Sequence, residues 1–174
     1  MIGGVECKIH FFVMSLPNSD AVFVKGHPSE TTEAFCDGHI STFAFFGGIP
    51  QAILCDNTKM AVTSILGDRT RVRTRRLTEL QSHYLFDDNF GRPARGSDKD
   101  NVEGMVGYTR RNFMVPAPRY ERFDGLNAHL EQGFLARQGD KLRGRSQTIG
   151  QRLASDTEVL MGLRCISGPM PKRI

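Results

Sequence analysis

Two carboxylates stand where a chain can do chemistry. Asp56 ends the short apolar run Gln51-Ala52-Ile53-Leu54-Cys55-Asp56-Asn57, which opens after Gly47-Gly48-Ile49-Pro50. A run this short, entered through a glycine–proline break, reads as a buried strand rather than a helix. A carboxylate at the end of such a strand is costly unless a cation, a donor or a metal meets it. In open α/β sheets, chemistry lies beyond the carboxyl ends of the strands. Position alone leaves a plain turn cap at Asp56-Asn57 equally open. Glu103 follows in residues 96–113, where a glycine-rich polar loop leads into a helical pattern. Val102, Val106, Thr109 and Phe113 fall at i, i+4, i+7 and i+11, one inward stripe. Glu103 is one residue off that stripe, in the first turn. Lys99 precedes it by four residues, and Arg110 and Arg111 follow by seven and eight, on roughly the same face. A carboxylate at the rim of a core, with a basic face below it, suits a divalent metal beside a phosphodiester backbone.

The elements that position these groups follow from periodicity and punctuation. Residues 5–16 read as a strand, Pro17-Asn18-Ser19-Asp20 as a turn and residues 21–25 as a second strand, together an antiparallel hairpin. His27-Pro28-Ser29 opens a helix with Ser29 as N-cap and Glu30 and Glu33 near its positive end; Gly47-Gly48 stops it. Phe35, His39, Phe43 and Phe46 share a face of that helix, and both His39 and His10 read as structural histidines before ligands. Residues 58–71 take no assigned form. Arg69, Arg71, Arg73, Arg75 and Arg76 then make a basic cluster, and Leu77, Leu80 and Tyr84 mark a short amphipathic helix. Leu85-Phe86 reads as an edge strand and Asp87-Asp88 as a solvated turn, with metal ligation second. Gly91-Arg92-Pro93-Ala94-Arg95-Gly96 is a basic loop of the kind that holds nucleic-acid backbone, though ordinary surface looks the same. The Glu103 helix is expected to end near Val115, before Pro116-Ala117-Pro118. Residues 123–139 resume a helix through Leu126, Leu130 and Phe134. Arg137, Lys141, Arg143, Arg145 and Arg152 follow, as a phosphate-contacting arm or as a solvated face.

At 174 residues, 39% hydrophobic and 24% charged, the chain is long enough for a sizeable core and far from a disordered composition. Charge is uneven. Up to Met60, three lysines face six carboxylates, a net of −3, so the remainder carries +7 to reach the overall +4. That half suits a polyanion, and the pI of about 9.0 allows nucleic acid or an anionic membrane surface. No apolar run approaches the roughly 20 residues of a membrane span. Cys7, Cys36, Cys55 and Cys165 form no C-x-x-C pair, so they read as reduced thiols packed mostly in the core rather than as a zinc site. No basic-then-apolar leader opens the chain, and the expected compartment is the cytoplasm.

The strand ending Leu54-Cys55-Asp56-Asn57, followed by Lys99-Asp100-Asn101-Val102-Glu103 opening a helix, resembles the last two carboxylates of the Asp-Asp-Glu integrase core. More closely, the chain resembles the IstA-type transposases of bacterial insertion sequences. Phe45-Phe46-Gly47-Gly48-Ile49-Pro50, Ser82-His83-Tyr84-Leu85-Phe86, Pro93-Ala94-Arg95-Gly96 and Tyr108-Thr109-Arg110-Arg111-Asn112-Phe113 carry that resemblance in order, over roughly residues 9–160.

The resemblance implies a ribonuclease H-like α/β fold, in which the first Asp lies on a central strand expected ahead of residue 1. The fold class expected here is therefore an integrase core truncated at that first central strand, residues 1–116, with a basic helical extension at 117–165 and a disordered tail at 166–174. It implies DNA cleavage and strand transfer with two Mg²⁺ ions, about 4 Å apart, held by three carboxylates. Asp56 and Glu103 are then the catalytic and metal-binding pair, and Lys99, Arg95, Arg110, Arg111, Arg75 and Arg76 contact DNA phosphate. With two of three carboxylates, weak metal binding and little activity alone are expected, the alternative being a noncatalytic nucleic-acid-binding remnant. The implied partners are insertion-sequence ends, target DNA, an IstB-type ATPase helper and further copies of the intact protein, on the nucleoid and not on a membrane.

Overall fold

A computed structural model describes residues 1–55, 62–65, 71–90 and 96–163. The first two strands, β1 (His10–Leu16) and β2 (Ala21–His27), form the expected hairpin, in register from His10 opposite His27 to Leu16 opposite Ala21. β1 starts later than the apolar pattern from residue 5 suggests, because Val5 turns back to Ile2 in a local bridge instead. Asp20 takes a left-handed φ of 59° at the turn, a conformation aspartate tolerates better than most residues.

α1 (Thr32–Phe46) is capped by Thr31, whose Oγ1 accepts from the Ala34 amide at 3.1 Å. This corrects the expected cap at Ser29. Glu30 is drawn off to His10 (2.8 Å), and Thr31 supplies the first hydroxyl at capping distance. Gly47, at φ 73°, ends the helix as expected, with its amide returning to Ala44 and that of Gly48 to Phe43.

β3 (Ala52–Cys55) then pairs in parallel with β6 (Asp87–Phe90), from Ala52 opposite Asp87 to Cys55 opposite Phe90. Between them lie the antiparallel pair β4 (Val62–Ile65) and β5 (Arg71–Arg73) and the helix α2 (Arg75–Tyr84), which buries Leu77, Leu80 and Tyr84 as its spacing predicts. The edge strand expected at Leu85-Phe86 is displaced. Leu85 is instead the left-handed end of α2 at φ 58°, and the strand is the polar run after it. Phe86 and Asp88 point inward and Asp87 and Asn89 outward, so Asp87-Asp88 is no solvated turn. Pairing with β3 overrides the turn preference of Asp and Asn.

α3 (Gly96–Phe113), α4 (Phe123–Arg137) and α5 (Ile149–Val159) complete the fold. α3 turns a different stripe inward from the one expected. Met105 and Thr109 are buried, while Val106 and Phe113 are half-buried. Tyr108 and Phe113 join Met105 in a cluster with Val22, Val24, Leu126, Leu130 and Phe134, and this rotates the helix by about one residue. The three inward side chains of α4 contribute roughly 1.5–3 kcal/mol each by leaving water. Asn127 extends this packing. Its side chain accepts from the Gly26 amide at 2.7 Å and donates to the Gly26 carbonyl at 3.1 Å, satisfying the outer edge of β2 as a neighbouring strand would.

Among the described residues the strands pair two by two: β1–β2, β3–β6 and β4–β5. The architecture is mixed α/β. The first two pairs are not isolated from each other. Met14 of β1, Ile53 and Cys55 of β3, Phe86, and Phe43 of α1 belong to one core cluster with Leu77, Leu80 and Tyr84. α1 is therefore the shared floor of both pairs. Thiols are placed less uniformly than expected: Cys55 is buried, Cys36 half-buried and Cys7 exposed. Burial pushes the Cys36 thiol up to about 11, so it is unreactive at neutral pH.

Candidate functional site

The parallel pair β3–β6 brings two carboxyl strand ends to one edge, because Cys55 and Phe90 are directly opposite. α3 begins at Gly96, and residues 91–95 span at most about 20 Å when extended. The start of α3 is thus tethered to the edge where β3 ends. Asp56 itself, the residue after Cys55, lies outside the described residues, as do Arg95 and Arg69.

Glu103 is exposed on the second turn of α3. At 3.6 residues per turn, Lys99, Glu103 and Arg110 fall within about 40° of one another around the helix axis, and Arg111 follows on the flank. Arg110 and Arg111 occupy the last turn, where cations complement the helix dipole. Both are exposed, and the Arg111 guanidinium lies over Gly107, where an added Cβ would come within 3.2 Å of its Nη1. Neither arginine forms an ion pair with another described residue. A carboxylate and two arginines therefore share one outward face of a single helix. Such a face can meet a phosphate backbone, and its cations would make that contact salt-dependent without reading sequence.

Arg75 and Arg76 each have an acid nearby. Arg75 Nε pairs with Glu79 at 2.8 Å along α2, and Arg76 approaches Glu33 of α1 at 3.8 Å. Both contacts are exposed and weak, yet they offset the charge that the sequence leaves open for phosphate. Among the described residues, no group of three His, Cys, Asp or Glu side chains is placed to hold a metal ion.

His39 is structural, as read. His39 is buried among Phe12, Phe35, Phe43 and Phe86, stacking on Phe86 with ring centroids 6.0 Å apart, and its Nδ1 lies 2.8 Å from the Phe35 carbonyl. Burial lowers its pKa to about 4 against the opposing pull of that carbonyl, so it is neutral with Nδ1–H donating. His27 is lowered as well, chiefly by burial, and Lys25 adds to this while Asp37 opposes it.

The arginine-rich C-terminal stretch divides in a way the sequence does not show. Arg152 is 8% exposed and joins α5 to the β1–β2 turn. Its Nη1 donates to the Asp20 carboxylate at 2.8 Å and to the Asn18 carbonyl at 2.9 Å. Asp156, one turn further on, accepts from Asn18 Nδ2 at 2.9 Å and from the Ser19 amide at 3.1 Å. Arg137 donates to the Asp20 carbonyl at 3.0 Å and lies over the Tyr108 ring, 5.4 Å from its centroid. Neither arginine is part of a phosphate arm or of a solvated face. Asp20 is thereby a turn residue and an ion-pair partner.

Curated proteins give the same direction as the resemblance. The chain is 31% identical over 163 residues to a transposase for insertion sequences IS1326/IS1353 of Pseudomonas aeruginosa, covering 93% of this chain and 32% of that protein. It is 34% identical over 164 residues to the IS21 transposase of the same organism, covering 93% and 42%. It is 33% identical over 153 residues to the IS640 transposase of Shigella sonnei, covering 87% and 48%. The chain is related to insertion-sequence transposases. It spans between about a third and a half of the length of these relatives. No family model matches it. No helix among the described residues is long and apolar enough to cross a membrane.

Proposed function

We propose that the chain forms part of an insertion-sequence transposase that acts on DNA, and that its fold is the distal portion of a ribonuclease H-like integrase core of the Asp-Asp-Glu, IstA-like type. The observation that carries this reading is the parallel β3–β6 pair, with α3 tethered to its carboxyl edge, in a chain similar to transposases along 93% of its length. Asp56 and Glu103 supply two of the carboxylates. Their hard oxygen donors fit Mg²⁺, which when bound would activate a nucleophile at phosphorus. Lys99, Arg110 and Arg111 hold the phosphate backbone along the outer face of α3, with Arg95 in the preceding loop.

The third carboxylate comes from a further strand. β1 is paired with β2 and β3 with β6, and the two pairs share the floor of α1. A strand supplied by another segment of the protein would join them into one sheet and bring its Asp beside Asp56. Without it the chain binds DNA and reacts weakly or not at all, and its open edges favour self-association. In the cell it acts in the cytoplasm on nucleoid DNA, with further copies and an IstB-type ATPase as partners.

The test is a paired assay on labelled insertion-sequence end DNA, with Mg²⁺ or Mn²⁺, for the chain and for Glu103→Gln. Nicking that vanishes in the variant would establish a metal-dependent site containing Glu103. Salt-sensitive binding without nicking would place the chemistry in an assembly that includes the third carboxylate. A chain that binds no DNA at 50 mM salt overturns the proposal.

A further inference from the structure

Residues 138–148 form a closed loop between α4 and α5. The Gly150 amide donates to the Gln138 carbonyl at 2.8 Å and the Ile149 amide to the Asp140 carbonyl at 3.0 Å, so the two ends are tied together. Inside the loop the Arg145 amide returns to the Leu142 carbonyl at 3.0 Å, across Gly144 at φ 77°. Leu142 packs against the cluster of Leu16, Ala21, Phe23, Phe46 and Ile149, which anchors the loop from below. Thr148 closes it with a capping box, its Oγ1 accepting from the Gln151 amide at 3.1 Å while Gln151 Oε1 accepts from the Thr148 amide at 2.9 Å.

Lys141, Arg143 and Arg145 project from this tied loop, and all three are exposed. They alternate with Leu142, which points into the core, and with Gly144, which has no side chain. Against them stands one acid in the loop, Asp140, leaving a net charge of +2 over residues 138–148. None of the three cations forms an ion pair or side-chain hydrogen bond with another described residue. This sets them apart from Arg137 and Arg152 on either side, both drawn inward by the β1–β2 turn. Holding three like charges together has an electrostatic cost that an external polyanion would relieve. The loop leaves α4 at Arg137, whose guanidinium lies over Tyr108, five residues from Glu103 along α3.

We propose that the 138–148 loop is a second phosphate-binding element that grips the backbone of duplex DNA through Lys141, Arg143 and Arg145, separately from the outer face of α3. A preorganised loop loses less conformational freedom on binding than three mobile side chains on a floppy segment. The contact is with phosphate and carries no sequence preference. It takes the class of its ligand from the DNA-acting reading above and does not depend on the carboxylates.

The experiment measures binding of a fluorescent duplex of arbitrary sequence at several salt concentrations. It compares the full chain with Lys141→Gln/Arg143→Gln/Arg145→Gln and with Arg143→Lys/Arg145→Lys. Each lost phosphate contact flattens the plot of log K against log salt by about 0.9. The triple variant is expected to lose about 2 to 3 units of slope, and the lysine variant to keep the wild-type slope, since lysine still supplies a point charge. A triple variant with unchanged slope and affinity overturns the proposal while leaving DNA binding by α3 intact. Loss of nicking in Glu103→Gln with the loop's slope contribution preserved bears on the carboxylate chemistry alone. Vesicles rich in phosphatidylserine serve as the competing anion. Loop-dependent binding to vesicles without loop-dependent binding to DNA also overturns it.

Discussion

Residues 137–152 carry five cations, Arg137, Lys141, Arg143, Arg145 and Arg152, in a stretch that reads as evenly basic. The fold splits them into two populations. Arg137 and Arg152 turn inward to the carbonyls and carboxylate of Asn18 and Asp20, and there they clamp the C-terminal helices to the first hairpin. Lys141, Arg143 and Arg145 are exposed on the loop and form no ion pair with another described residue. The difference lies in what sits opposite, since the residue types are nearly the same. Positive charge in a sequence becomes a footprint for a polyanion only after the internal partners have been subtracted. Arg75 and Arg76 stand between the two populations: Glu79 and Glu33 lie beside them, but through exposed, weak contacts that leave both guanidinium groups accessible.

The largest effect that separates the two populations is on stability. Arg152→Ala removes the cation from a buried polar cluster and leaves Asp20 without its ion-pair partner, close to the Asp156 carboxylate that binds the same turn. Breaking a buried pair by deleting one member is expected to cost about 3 kcal/mol, toward the low end of the usual range because Asp20 is 26% exposed. Urea unfolding measures this. A midpoint within error of wild type would show that the inward arginines are no clamp, and the comparison would collapse.

His39 sharpens the same point with a titratable group that has no acid opposite it. Its pKa of about 4 in the fold lies below the ordinary 6.5, so the unfolded chain takes up a proton first as pH falls. The stability it contributes is complete above about pH 6.5 and is lost as pH drops toward 4, with a total on the order of 3 kcal/mol. His39→Phe should flatten that part of the stability–pH curve. An unchanged slope in the variant would assign the loss to other groups.

Periodicity made the helices legible. Leu77, Leu80 and Tyr84, and Leu126, Leu130 and Phe134, are buried as their spacing requires, because a helix that packs on one side writes its inner face into the sequence at intervals of three and four. The hairpin and the stop at Gly47 were legible for similarly local reasons. What was not legible depends on distant partners. β6 is written Asp-Asp-Asn-Phe and is a strand only because β3 lies beside it. α5 buries Ile149, Arg152 and Asp156, a stripe with more polar than apolar members, which no count of hydrophobic spacing would find. The rotation of α3 toward Met105 is fixed by Tyr108 and Phe113 meeting α4. At the candidate site, the helix that carries Glu103, Arg110 and Arg111 followed from spacing alone. The inward turn of Arg137 and Arg152 did not, because the Asp20 carbonyl and carboxylate that hold them are 117 and 132 residues away in the chain.

Smaller effects test whether the loop is rigid by construction. Thr148→Ala removes one half of the capping box and should cost about 1 kcal/mol. If the cap also holds the loop closed, exchange at the Ile149 amide, which donates to Asp140, will quicken more than exchange at the buried end of α4. Equal acceleration at both places would mean that the cap stabilises α5 alone and that the loop holds its shape without it.

The smallest stability effect gives the sharpest contrast. Arg143→Ala deletes an exposed side chain with no partner among the described residues, so unfolding should shift by less than about 0.5 kcal/mol. In DNA binding the same change should flatten the salt slope by about 0.9, one contact's worth. Arg152→Ala should do the reverse under conditions where it remains folded, costing stability and leaving the slope alone. These opposite signatures, in two arginines nine positions apart, follow from which one the β1–β2 turn has already claimed. If Arg143→Ala destabilised the chain as much as Arg152→Ala, the loop would belong to the clamp, and the outward population would contain no cation available to phosphate.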